Sequence, residues 1–182
     1  MEAESARMVR PGEGTVNLRG RDPGAAAGWV VVALGSNLGD RIARLERARR
    51  DLFSGGFRWV LASPVEETAP LPGSAPGQGT YLNQLLAARR TEVPLDPAEL
   101  LALGQALERA AGRRRELEPH WGPRPLDIDI VLFGDLVIDA PGLVVPHPRL
   151  AERPFVVGPL VSWWPAIRDP RTGAPLGPGG PV

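Results

Sequence analysis

Apolar and polar positions alternate with two different periods along this chain, and the changes between them divide it into elements. Trp29-Val-Val-Val-Ala-Leu34 is a continuous apolar run, which predicts a strand buried on both faces. Gly35 to Gly39 is a turn. From Asp40, a side chain suited to capping, a helical period places Ile42, Leu45, Ala48, Leu52 and Phe53 on one face as far as Ser54. Gly55-Gly56 ends that helix. Phe57 to Ser63 reads as a second strand, with a continuation past Pro64 to Thr68 open. A loop of three Pro and three Gly fills Ala69 to Gly79. Tyr81 to Thr91 reads as a strand, although Leu85 to Ala88 also suits a helix. Asp96-Pro97-Ala98-Glu99 carries the cap, first-turn proline and third-position glutamate of a second helix running to about Ala111.

Leu126 to Phe133 is again a strand, followed by a turn at Gly134-Asp135 and a short strand over Leu136–Ile138. Val144 to Pro148 is extended, and residues 151–161 have room for a short helix. The resulting order, β-α-β-β-α-β, is that of a ferredoxin-like α+β sandwich, an antiparallel sheet with helices packed on it. The Gly-, Ala-, Arg- and Pro-rich residues 1–28 are expected to form a flexible extension, residues 29–168 the domain, and residues 169–182 a loose tail.

Composition removes several chemistries. The chain has 182 residues and no cysteine, so disulfides, thiolate nucleophiles and cysteine-based zinc sites are excluded. With 21 basic and 21 acidic residues the formal charge is zero, which argues against a nucleic-acid surface. Every basic residue is Arg, so a P-loop or Schiff-base lysine is excluded as well. Residues 1–28 lack the apolar core of a signal peptide, and no apolar run approaches the ~20 residues of a membrane span. The expectation is a cytoplasmic monomer acting on small molecules, with no nucleic-acid or membrane partner.

One strand changes that bland picture. Between Leu126 and Phe133 only Asp127 and Asp129 are polar. Side chains two apart on a strand share a face at roughly 6.5–7 Å, so both carboxylates emerge together while Leu126, Ile128 and Ile130 turn away. Two like charges at that spacing repel by about 2–3 kcal/mol at an effective dielectric near 20. A hard divalent cation would relieve this. Arg124 and the run Arg113-Arg114-Arg115 stand just upstream and suit oxyanions, so the combination points to a polyphosphate site. The alternative is an edge strand whose outer face is merely solvated.

Four separated motifs then agree with one family. They are Gly35-Ser36-Asn37-Leu38-Gly39-Asp40, Tyr81-Leu82-Asn83, the segment from Trp121-Gly122-Pro123-Arg124 through Leu126-Asp127-Ile128-Asp129-Ile130, and Val145-Pro146-His147-Pro148. From about Val30 to Pro165 the chain resembles 6-hydroxymethyl-7,8-dihydropterin pyrophosphokinase of folate biosynthesis. The resemblance implies an ATP-dependent diphosphokinase that transfers a pyrophosphoryl group to the pterin's hydroxymethyl group and releases AMP.

The same resemblance implies roles for individual residues. Asp127 and Asp129 match ligands of two Mg²⁺ ions, and Arg113, Arg115 and Arg124 match catalytic arginines that grip phosphate. Gln105, Glu108, Trp121, Ile130, His147 and Arg153 complete the implied ATP set. Gln105 and Glu108 share a helix face for which solvated surface is the alternative. Thr68, Leu71, Tyr81, Asn83, Trp121 and Phe155 match pterin contacts, with Tyr81 and Phe155 as the flanking rings and Trp121 folding over the site. Two departures stand out: the Gly112–Trp121 loop is one residue longer than in close relatives, with His120 where Arg is usual, and Ala69 stands where the family usually has Pro.

Overall fold

The computed structural model describes residues 7–8, 25–118 and 122–177. Its elements are β1 (Arg7–Met8), β2 (Trp29–Ser36), α1 (Arg41–Ser54), β3 (Leu61–Ala62), β4 (Glu66–Thr68), β5 (Tyr81–Arg89), α2 (Pro97–Ala110), β6 (Asp127–Phe133), β7 (Ile138–Ala140), β8 (Leu143–Val145) and α3 (Pro154–Trp163). The main sheet has the order β1-β3-β5-β2-β6, with β4 also paired to β5, and every pairing is antiparallel. Taking β3 and β4 as two halves of one strand gives the expected β-α-β-β-α-β order, so the ferredoxin-like reading holds. A β7–β8 hairpin and α3 follow it.

The halves separate because Pro64 has no N–H to give the sheet. Ser63 compensates: its hydroxyl accepts the Leu85 N–H at 2.9 Å, and its carbonyl accepts the Gln84 side-chain amide at 2.7 Å. The expected strand from Phe57 is thereby reduced to Leu61–Ala62 plus Glu66–Thr68.

The apolar run of β2 lies in the middle of the sheet with all eight residues buried. Its alternation feeds two cores. Val30, Val32 and Leu34 join Ile128 and Ile130 against Leu45, Ala48 and Leu52 of α1 and Leu100 of α2. Val31 and Ala33 join Val131 against Val156, Leu160 and Trp163 of α3. The sheet therefore has α1 and α2 over one face and α3 over the other. Between β2 and β6 the register shifts, because Val31 faces Leu132 while Val32 faces Ile130, leaving Val131 as an extra residue. Val131 uses its free carbonyl to accept the His147 N–H at 3.0 Å, which ties the segment after β8 to the aspartate strand.

Both main helices start as their sequences dictate. Asp40 accepts the Ala43 N–H, and Asp96 with Glu99 forms a reciprocal capping box. Four expectations need correction. Ile42 is 49% exposed, because it lies about 60° around the helix from Leu45 and beyond the buried stripe. The short strand expected over Leu136–Ile138 instead occupies Ile138–Ala140. Residues 169–177, expected to be loose, fold back: Asp169 is buried, and Leu176 N–H donates to Ile167 O at 3.1 Å. Within the expected flexible extension, Arg7–Met8 pairs with Leu61–Ala62, and Ala25–Gly28 forms a 3₁₀ turn.

The helix that lies over the aspartate strand comes close to it at Gly104. A Cβ there would stand 3.2 Å from Ile128 Cγ2 and 3.5 Å from its Cβ. Gly104→Leu is expected to push α2 off β6 and destabilise the protein by about 2 kcal/mol, despite the better helix propensity of Leu. Urea unfolding should show this as a lowered midpoint with an unchanged slope; an unaltered midpoint would contradict the close packing.

Candidate active site

The site is built where β2 ends between β5 and β6. Gly35 pairs with Asn83 on one side and Asp127 on the other. A Cβ on Gly35 would be 3.2 Å from Asn83 Oδ1 and 3.7 Å from Asp127 Cβ, so any side chain here would fill the floor. The next two residues fix the Arg124 segment from 87 or more positions away. Ser36 Oγ donates to Pro125 O at 2.6 Å, Asn37 Oδ1 accepts the Arg124 N–H at 2.7 Å, and Asn37 N–H donates to Arg124 O at 3.2 Å.

On β6 the two carboxylates share the face opposite Ile128 and Ile130, as strand alternation requires. Neither is buried against hydrocarbon: the Asp127 side chain is 17% exposed and that of Asp129 is 23% exposed. Guanidiniums balance both charges. Asp127 Oδ1 accepts from Arg113 Nη1 at 2.5 Å, and Oδ2 from Arg124 Nη1 at 2.9 Å. Asp129 Oδ2 accepts from Arg153 Nη1 at 2.6 Å and faces His147 Nε2 at 3.6 Å. Burial alone would raise the Asp127 carboxyl, but the charges of Arg124 and Arg113 outweigh it and hold the group below the ordinary aspartate range.

His147 is oriented by its neighbours. The Arg149 N–H donates to Nδ1 at 3.1 Å, which leaves the ring proton on Nε2, facing Asp129. Burial pushes the imidazole below its usual value, with Arg153 and Arg149 reinforcing that shift and Asp129 opposing it. The neutral form is therefore the one present near pH 7.

Tyr81 and Phe155 line the site alongside these charged groups, as do Thr68, Leu71 and Asn83. Together they close a cavity of about 430 Å³. Asn83 is buried and its amide donates to Thr68 Oγ1 at 2.8 Å. The Tyr81 hydroxyl donates to Gln78 Oε1 at 2.8 Å, and burial raises its pKa, so the phenol stays neutral. A cavity of this size that combines two aromatic rings with many charged groups suits a ring joined to an anionic chain. Five arginines (Arg113, Arg115, Arg124, Arg149 and Arg153) line it against three carboxylates (Glu118, Asp127 and Asp129), an excess of two positive charges.

Most of the residues singled out from sequence meet here. Asp127, Asp129, Arg113, Arg115, Arg124, His147, Arg153, Thr68, Leu71, Tyr81, Asn83 and Phe155 all line the one cavity. Of the arginine run, Arg113 is buried against Asp127, Arg115 reaches the rim, and Arg114 points to solvent. Ile130 does not line the cavity, because alternation turns its side chain into the core on the helix side. Gln105 and Glu108 line a separate recess of about 120 Å³ with Arg109, Arg113, Arg115 and Glu116. Glu108 is only 1% exposed, so the solvated-surface alternative is wrong for it. Burial pushes its carboxyl above the usual range, against the pull of Arg113 and Arg115. Trp121 and His120 lie outside the described residues.

Gly35 and Arg149, which carry no expected role in the site, also line the cavity. Gly35 stood inside a recognised motif with no role attached, and Arg149 sits two residues beyond His147. Nothing local distinguishes either from an ordinary turn residue.

Among the described residues no three His, Asp or Glu side chains converge into a closed metal cage. Two carboxylates on one open face do fit hard cations whose other ligands are phosphate oxygens and water. Arg113, Arg124 and Arg153, which balance those carboxylates in the protein alone, are also well placed to turn to phosphate.

Comparison with known proteins agrees with this geometry. A pyrophosphokinase of Bacillus subtilis, 2-amino-4-hydroxy-6-hydroxymethyldihydropteridine pyrophosphokinase, is 38% identical over 146 residues, covering 80% of this chain and 83% of its own length. The Pseudomonas aeruginosa protein of the same name is 41% identical over 143 residues, 78% of this chain and 83% of its own. The mitochondrial folate synthesis bifunctional protein of Arabidopsis thaliana is 41% identical over 133 residues, 73% of this chain but 23% of the plant protein. The chain thus spans about a quarter of the length of the plant bifunctional relatives it matches. The model of the family described as 7,8-dihydro-6-hydroxymethylpterin-pyrophosphokinase (HPPK) matches residues 31–165, through both the strand that carries Asp127 and Asp129 and the segment that carries His147 and Arg153, and the chain belongs to that family.

Proposed function

We propose that this protein transfers the pyrophosphoryl group of ATP to the hydroxymethyl group of 6-hydroxymethyl-7,8-dihydropterin, releases AMP, and acts as a cytoplasmic monomer in folate biosynthesis. The observation that carries the reading is the joining of two same-face carboxylates, five arginines and two aromatic rings in one cavity. No helix among the described residues is long and apolar enough to cross a membrane.

In this reading Tyr81 and Phe155 flank the pterin ring. Asn83 and Thr68 offer fixed donors and acceptors to its amide-like edge. The ATP phosphates lie along the charged wall, where Arg113, Arg115, Arg124 and Arg153 grip their oxygens in forked pairs. Asp127 and Asp129 would hold two Mg²⁺ ions, whose charge would offset that of the phosphates and favour ionisation of the attacking hydroxyl. The neutral His147 donates from Nε2 toward the same wall. Because the arginines and dipoles are arranged in advance, most of the acceleration comes from alignment and charge neutralisation, without a strong side-chain base. Gln105 completes the nucleotide's surroundings, and Trp121, which lies outside the described residues, is the remaining residue expected to contact both substrates.

The direct experiment incubates the protein with Mg-ATP and the dihydropterin and identifies the nucleotide product. AMP is expected. ADP would make it an ordinary kinase, free pyrophosphate a nucleotidyl transferase, and no turnover a binding protein. Asp127→Ala and Asp129→Ala should each lower kcat by at least about a thousandfold, a loss of several kcal/mol of charge stabilisation. Circular dichroism should show both variants folded; near-normal rates at saturating magnesium would refute the metal assignment. Asn83→Ala should raise KM for the pterin by about tenfold, the loss of one or two buried hydrogen bonds, with KM for ATP within twofold. A shift confined to ATP would place Asn83 at the wrong end of the cavity.

A further inference from the structure

Glu108 stands at a junction that neither the cavity nor its nucleotide-binding expectation explains. It sits in the last turns of α2 with its side chain 1% exposed, and it does not line the large cavity. Oε1 accepts from Arg113 Nη1 at 2.7 Å and from the Ile128 N–H at 2.8 Å. Oε2 accepts from Arg115 Nε at 3.0 Å and Nη2 at 2.6 Å.

A carboxylate offers about four acceptor sites, and all four are taken. Every group bonded to it is a donor, so the ionised form is the one that fits. No lone pair is left for a ligand.

What Glu108 holds is the machinery itself. Arg113 Nη1 is shared between Glu108 Oε1 and Asp127 Oδ1, so the same guanidinium joins α2 to the carboxylate. Ile128 lies between Asp127 and Asp129, so its bonded N–H anchors the strand between them. Arg115 is 51% exposed, yet its fork is gripped side-on, which fixes the segment beyond Gly112 to the helix.

We propose that Glu108 is a positioning residue for pyrophosphoryl transfer: its buried carboxylate sets Arg113 against Asp127 and tethers Arg115 to α2, without itself touching either substrate. This rests on the reaction proposed above and replaces direct nucleotide contact as the role of Glu108.

Glu108→Gln tests it, since the amide oxygen can still accept from Ile128 while the charge that orients both guanidiniums is lost. The variant should be folded by circular dichroism, and kcat should fall by about tenfold or more, the scale of a misplaced catalytic group. KM for the pterin should stay within twofold, because the ring site is built from other residues.

A merely structural residue could lower activity too, so a double-mutant cycle supplies the discriminating readout. In an Arg113→Lys background the Glu108→Gln change should lower kcat by clearly less than about tenfold further, because one of the two guanidiniums it orients is already altered. In an Arg153→Lys background the loss of about tenfold should recur in full. Equal losses in both backgrounds, a pterin KM that moves with kcat, or a Glu108→Gln rate within twofold of wild type would each overturn the proposal. If Glu108→Gln does not fold, Glu108→Asp, which keeps the charge but shortens its reach, carries the same cycle with the same outcomes. Wild-type AMP formation is the control: its absence would refute the reaction, whereas its presence with an additive cycle would refute only the role of Glu108.

Discussion

Two carboxylates on one face of one strand are an electrostatic liability, and the arrangement around β6 follows from relieving it. Strand geometry leaves Asp127 and Asp129 no choice but to project together, since Ile128 and Ile130 are drawn into the core beneath α2. In the protein alone the compensation comes from three different regions of the chain. Arg113 arrives from the end of α2, Arg124 from the segment before β6, and Arg153 from the start of α3. A bound polyphosphate with its cations would exchange one set of charge pairs for another, so the site is kept ready by the same forces that it uses on a ligand.

Holding several guanidiniums close together raises the opposite problem, and buried polar groups resolve it. Glu108 saturates its acceptors on Arg113, Arg115 and a strand amide. Asn37 bonds both backbone groups of Arg124, and Ser36 bonds Pro125. The close approach at Gly104 brings α2 near enough to the strand for Glu108 to reach across. A bonded network of this kind holds its members in place, which suits the proposed reaction, one that depends on alignment.

The cavity's aromatic and charged groups call for different physics. Tyr81 and Phe155 supply faces, and a buried Asn83 supplies directional bonds. The arginines supply an excess of positive charge over the lining carboxylates. Gly35 lies where these groups meet: an added Cβ would stand 3.2 Å from Asn83 Oδ1, 3.7 Å from Asp127 Cβ and 3.9 Å from Tyr81 Cδ1.

Much of this could be read from the order of residues because it depends on local periodicity. A period of two assigned the faces of β6, a period of 3.6 with its capping residues assigned α1 and α2, and the apolar run of β2 announced a central strand. Those inferences hold because backbone geometry dictates where neighbouring side chains go. Glu108 shows where such reasoning stops, since a glutamate on a helix looks the same whether it faces water or two arginines. It is buried in bonds to Ile128, twenty positions further along, and to Arg113 and Arg115 between them. Ile42, the ordered residues 169–177 and the Asn37–Arg124 bonds belong to the same class. Whether an apolar residue is covered, a Pro-rich tail is pinned or an amide finds its partner depends on segments that meet only when the chain has folded, and no local pattern encodes that meeting.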